Sequence, residues 1–386
     1  MPASKILLDV TRLLTRLSQG LHPTGVDRVG LAYIERYGQH AHAVLSESGL
    51  SVVLTEKDSQ KLFNRVLSSK CNRTEIAHWI ARALMTRVPA STMTGSVLLH
   101  TSHNGMEYAR YYRSMARRRA RAVFMVHDLI PLTHAEYCRP GVDATHRNRI
   151  HTALTRADGL IANSEATLNS LRAEAEQAGL RLPPTVVARL APAVLPSATG
   201  PAPLASPYFV MLGTIEPRKN HWFILHVWRQ LVELHGERAP KLVIIGRRGW
   251  ECENIVDMLE RCHAIRGAVI EDSQCPDERL QAWLRHARAL LFPSFTEGYG
   301  MPLVEALTLG VPVLASDLPV FQEIAGDIPD YLDPLDGPGW RSRILAYADT
   351  PSPERAQQLV RIAGFSPPTW QDHFEHVDRF LGALPA

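Results

Sequence analysis

Short apolar runs alternate with polar, helix-length segments along most of the chain. Residues 5–10, 51–55, 97–101, 122–126 and 159–163, and later 208–213, 241–245, 268–271, 289–292 and 311–315, are brief and dominated by aliphatic and aromatic side chains. Runs of this length with little polar alternation read as strands covered on both faces, the habit of parallel sheets. Between them, residues 75–86, a segment with Trp222, Leu225, Trp228 and Leu231 in register, and residues 302–309 read as helices, and 368–381 closes the chain as an amphipathic helix. Strand and helix in turn predict an α/β protein.

The rhythm breaks once. Residues 191–207 carry Pro192, Pro196, Pro201, Pro203 and Pro207 among small residues, a composition that resists packing. The expected organisation is therefore a first domain over 1–195, a second over 196–366 and a terminal helix over 367–386. A length of 386 residues with 45% hydrophobic content suits two or three packed domains. The 42 basic and 39 acidic residues leave a net charge of +3, too balanced to argue for nucleic acid. Cys71, Cys138, Cys252, Cys262 and Cys275 form an odd set without zinc or disulfide spacing, as expected in a reducing cytosol. The first residues lack a signal peptide's apolar core and no run is long enough to span a bilayer, so a soluble or peripheral protein is expected.

Candidate chemistry gathers where strands end. The strand at 289–292 runs into Thr296-Glu-Gly-Tyr-Gly300, whose two glycines, Gly298 and Gly300, bracket Tyr299, and Pro302 suits the first turn of the following helix. Unpartnered N–H groups at such a helix start favour an anion, a phosphate above all. Glu297 and Glu305 flank that position. Either they serve vicinal hydroxyls of a sugar, or Glu297 is a loop charge and Glu305 an acid favouring the helix dipole. Gly213 ends another strand, and Arg218 and Lys219 follow it, cations suited to a diphosphate or else a solvated pair. His127 heads the exit of the strand at 122–126 beside Asp128, which could orient it. Thr24 can cap a helix with Gly25 at its mouth, and Ser164 caps another. Residues 107–121 mix six arginines with three tyrosines, so the stretch from Arg110 to Arg121 is either a solvated helix face or a contact for an anionic membrane.

Glu297, seven intervening residues and Glu305, inside Phe-Pro-Ser-Phe-Thr-Glu-Gly-Tyr-Gly-Met-Pro-Leu-Val-Glu-Ala, resemble the signature of the family 4 retaining glycosyltransferases, as do His-Asp-Leu-Ile-Pro at His127 and Glu-Pro-Arg-Lys-Asn at Arg218. The resemblance implies the GT-B fold: two Rossmann-like domains facing across a cleft, with a C-terminal helix crossing back to the first. It also implies the roles. Glu305 would bind the nucleotide ribose, Glu297 the transferred sugar, Arg218 and Lys219 the departing diphosphate, and His127 would lie near the anomeric carbon. Gly25, Gly213, Gly298, Tyr299 and Gly300 would line the donor. Some members carry an arginine where this chain has Thr214, which shifts the cationic work to Arg218 and Lys219. The expected activity is hexosyl transfer from a nucleotide-diphosphate sugar to a glycan or lipid-linked acceptor of a bacterial surface polysaccharide, with GDP-mannose as working donor and UDP- and dTDP-sugars left open. A non-catalytic nucleotide-sugar or glycan-binding protein is the alternative. No Asp-x-Asp occurs, so neither metal nor other cofactor is expected.

Overall fold

The computed structural model describes residues 5–21, 24–68, 73–86, 88–193 and 200–385. Pro23, Cys71 and Pro196 lie outside the described residues. The chain divides into two compact units, one built from Met1–Thr133, Pro140–Leu190 and Thr369–Ala386, the other from His134–Arg139 and Ala191–Pro368.

The strands of the first unit are β1 (Ile6–Asp9), β2 (Ala41–Glu47), β3 (Leu50–Val53), β4 (Val97–His100), β5 (Arg121–Val126), β6 (Gly159–Ala162) and β7 (Thr185–Val187). They form one sheet in the order β3-β2-β1-β4-β5-β6-β7, parallel except for the antiparallel β2–β3 pair. β2 and β7 have no counterpart among the strands expected from the sequence, because Ala, His and Ser in β2 and the brevity of β7 dilute the apolar signal. Every residue of β4 and β6 is buried, as two-sided coverage by helices requires.

The terminal helix, Trp370–Ala383, belongs to this unit. It is pinned by specific chemistry: Tyr33 Oη lies 3.0 Å from His373 Nε2, Tyr37 donates to Asp378 at 2.7 Å, and Arg121 donates to the Leu384 carbonyl at 2.8 Å. A Cβ on Gly159 would come within 2.7 Å of the Phe380 ring, so the helix packs on bare strand backbone.

The helix Ala109–Arg117 corrects part of the membrane expectation. Tyr111 and Tyr112 are buried in the core with Met115, so these aromatics serve packing, and Arg121 begins β5. Arg118 donates to the Ser114 carbonyl at 2.8 Å, while Arg113, Arg117 and Arg119 remain exposed. No helix among the described residues is long and apolar enough to cross a membrane.

The second unit contains β8 (Tyr208–Leu212), β9 (Lys241–Ile245), β10 (Val269–Asp272), β11 (Leu290–Phe292), β12 (Val313–Ser316) and β13 (Asp330–Leu332), all parallel in the order β10-β9-β8-β11-β12-β13. Its core gathers Phe209, Trp228, Leu231, Leu291 and Trp340. Trp222 departs from its expected place. The helix His221–His235 buries Leu225, Trp228 and Leu231, but Trp222 in its first turn is 41% exposed. In both sheets strand order reverses beside the first strand, between β1 and β4 and between β8 and β11, and ligand crevices of open α/β sheets form at the carboxyl ends of such pairs.

Candidate active site

In the second unit the reversal lies between β8 and β11, and the loops leaving these two strands carry the charged cluster. Gly213 follows β8 directly, with φ of +140°, and a Cβ there would sit 3.4 Å from the Lys219 side chain. A 3-10 turn, Pro217–Lys219, ends on left-handed Asn220 and turns the lysine inward, where it is only 8% exposed and its Nζ lies 4.8 Å from the centroid of the Phe292 ring. From β11 come Ser294 and Glu297. The Glu297 carboxylate pairs with Lys219 Nζ through one oxygen and with Arg218 Nη1 at 2.7 Å through the other, and Ser294 Oγ donates to it at 2.8 Å. Arg218 also reaches Glu216 through Nε at 2.5 Å and the Thr296 carbonyl at 3.1 Å.

Four ionised groups in so little solvent perturb one another. Burial alone would raise the Glu297 carboxyl, but the charges of Arg218 and Lys219 overcome it and hold it at about 2. Burial pushes the Lys219 ammonium below its ordinary value and the Glu216 carboxyl above its own. His221, one turn on, is pushed down to about 3 by burial and by Lys219.

The same loop shapes the helix that follows. Gly300 takes φ of +111° as the cap of the helix Met301–Thr308, and a Cβ on it would lie 2.7 Å from the Phe321 ring. Tyr299 is buried, Gly298 half-buried, and Glu305 is buried within that helix. Gly213 and Gly246 approach backbone to backbone, since a Cβ on Gly246 would meet the Gly213 carbonyl oxygen at 1.9 Å. Arg248 pairs with Glu271 at 2.8 Å and Glu260 at 2.5 Å, as expected of a surface charge. Among the described residues no group of three His, Cys, Asp or Glu side chains is placed to hold a metal ion.

Gly25 and His127 belong to the first unit, where the charges of Arg12 and Asp27 act on His127. Gly25 opens the helix Gly25–Tyr37, capped by Thr24, and buried Asp27 closes the cap by accepting from Thr24 N at 2.7 Å. Asp27 also binds Arg12 Nε at 2.9 Å and Arg16 Nε at 2.7 Å. His127 is buried just after β5, but Asp128 does not orient its ring. Asp128 Oδ1 instead accepts from Ile130 N at 3.1 Å, and the His127 ring donates through Nε2 to the Thr101 carbonyl at 2.8 Å. A carbonyl only accepts, so the neutral ring carries its proton on Nε2 and leaves Nδ1 as an acceptor. Burial lowers its affinity for a second proton.

His103 and His146, which the sequence did not mark, complete this group. His103 Nε2 accepts from the His127 backbone N–H at 3.0 Å, and the His103 ring packs 5.4 Å from His127 and 4.9 Å from His146. His103 follows the exit of β4 as His127 follows that of β5, a parallel that strand position alone could have shown. Ser294 and Glu216 were also missed, although each lies within three residues of a marked charge.

Residues 198–328 match the family described as Glycosyl transferases group 1. The chain is 29% identical over 241 residues to the serotype-specific mannosyltransferase WbdA of Escherichia coli, covering 58% of this chain and 29% of that protein. It is 35% identical over 138 residues to the O-antigen chain mannosyltransferase B of the same species, covering 36% of each. The chain thus spans about three tenths of the length of the first relative. Among solved structures, Anabaena Alr3699/HepE in complex with UDP and glucose superposes with a TM-score of 0.69 at 14% identity, covering 99% of this chain and all of that one. The fold is GT-B, and the chain resembles family 4 glycosyltransferases of the bacterial mannosyltransferase kind.

Proposed function

From this GT-B chain with its group 1 segment, we propose a retaining hexosyltransferase that moves a sugar from a nucleotide diphosphate to a glycan or lipid-linked acceptor in bacterial surface polysaccharide synthesis. The observation that carries the reading is the cluster of Arg218, Lys219 and Glu297 on the loops leaving β8 and β11. Two fixed cations in a poorly solvated loop cluster are suited to the charge that grows on a leaving diphosphate, and they need no reorganisation as it develops. Glu297 is held ionised and is assigned to the transferred sugar. Glu305 takes the ribose, Gly25, Gly213, Gly298, Tyr299 and Gly300 line the donor, and neutral His127 offers Nδ1 to the transferred sugar. The reaction uses no metal in this reading. The two mannosyltransferase relatives favour mannose as the sugar, with GDP-mannose as the proposed donor. A uridine donor is the second reading, prompted by the UDP in the HepE complex.

We place the protein in the cytoplasm, peripheral at the inner membrane. Exposed Arg113, Arg117 and Arg119 support this, as cations on one short stretch that anionic lipid would attract. Flotation with vesicles that ignores both anionic lipid and charge removal at these arginines would defeat it. The activity is tested first by thermal shift with GDP, UDP, dTDP and ADP on wild type and Glu305→Ala. A nucleotide at ~100 times its dissociation constant stabilises by about 2.7 kcal/mol. One nucleotide should shift the wild type and lose its effect in the variant, and its base names the donor class. No shift with any of the four refutes the reading.

A further inference from the structure

In the second unit Glu297 already occupies both cations assigned to the diphosphate. One oxygen meets Lys219 Nζ and Ser294 Oγ, the other meets Arg218 Nη1 at 2.7 Å. With Glu216 against Arg218 Nε at 2.5 Å, two cations face two carboxylates and the cluster is formally neutral. A carboxylate bridging an ammonium and a guanidinium makes the same pair of contacts that a diphosphate would make. Adding a diphosphate without moving a carboxylate would crowd anions together where little water screens them. Glu216 is 2% exposed and caps the turn that carries Arg218, whereas Glu297 is in a loop and precedes Gly298. Loop placement makes Glu297, rather than Glu216, the carboxylate that an incoming anion would displace.

Resting on the glycosyltransferase reading, we propose that Glu297 is an internal competitor of the donor's diphosphate, which displaces it from Arg218 and Lys219 and so releases it to the hydroxyls of the transferred sugar. Binding is then an exchange of anions. Sugar recognition is coupled to diphosphate binding, because a carboxylate held by both cations is not available to hydroxyls. Ser294, fully buried, retains Glu297 in the cation-bound position.

The test is titration calorimetry of wild type and Glu297→Gln with GDP, UDP, the matching nucleosides and inorganic pyrophosphate. Glutamine keeps the shape and removes the competing charge. Expected are at least a threefold gain in affinity for the bound nucleotide and for pyrophosphate, an unchanged nucleoside affinity, and a loss of sugar transfer. Equal or weaker diphosphate binding by folded Glu297→Gln overturns the proposal. Should that variant fail to fold, Ser294→Ala, which keeps both charges and removes one bond to Glu297, is expected to tighten pyrophosphate about twofold, and no gain overturns the exchange. A wild type that binds pyrophosphate but no nucleotide refutes the glycosyltransferase reading, while the pyrophosphate comparison still decides the exchange.

Discussion

His373 makes the anchoring of the terminal helix sensitive to acid, by an amount that can be worked out. It is buried in the helix Trp370–Ala383, its Nδ1 lies 3.0 Å from the Arg189 carbonyl and its Nε2 lies 3.0 Å from Tyr33 Oη. The carbonyl fixes the proton on Nδ1, so Nε2 accepts from the tyrosine hydroxyl and a second proton would have to replace that bond. Burial pushes the imidazole down to about 4, against the partly compensating backbone bond to Arg189. In the unfolded chain this imidazole therefore takes up a proton near pH 6.5 and in the folded chain only near pH 4, so stability is lost as the pH drops between those values. At pH 5 the loss from His373 is about 2 kcal/mol, tending to about 3 kcal/mol below pH 4. His373→Gln supplies an amide donor and acceptor without the titration. Urea unfolding followed by circular dichroism at pH 7.5 and 5.0 should show wild type losing about 2 kcal/mol more than the variant over that interval. Equal losses in the two proteins would refute the assignment, since every other histidine is common to both.

Gly300→Ala puts a Cβ 2.7 Å from the Phe321 ring at a φ of +111° and should lower stability by about 2–4 kcal/mol, read by thermal unfolding. Asp27→Ala strips the cap at Thr24 and leaves Arg12 and Arg16 without their shared carboxylate, and should cost about 3 kcal/mol in urea unfolding. Because burial keeps the His127 ring neutral, the transfer rate should show no fall centred at pH 6.5, and a titration there with His127→Gln abolishing it would contradict the neutral ring.

The alternation of short apolar runs with helix-length segments was enough to expect an α/β chain, because full burial of a parallel strand forces near-continuous apolar sequence. β4, β6, β9 and β11 were legible for that reason, whereas β2 and β13 carry polar residues on less covered positions and were not. Motif order gave the family resemblance and marked Arg218, Lys219, Glu297 and Glu305, since their spacing within one loop or one helix turn is written locally. What joins Arg218 to Glu297 is not local. Seventy-eight residues separate Lys219 from Glu297, and only the adjacency of β8 and β11 at the sheet's reversal makes them an ion pair.

Tertiary structure also decided what the sequence left double. The tyrosines at 111 and 112 could have faced a membrane or a core, and packing under the sheet sends them to the core. His127 could have leaned on its neighbour Asp128, but the turn to Ile130 claims that carboxylate and the neighbouring strand's Thr101 carbonyl claims the ring. The sequence by itself determined which chemical groups are present and which local turns they occupy, because those depend on neighbours in the chain. Which carboxylate neutralises which cation, and which tautomer an imidazole adopts, depend on groups that only the paired strands bring within hydrogen-bonding distance.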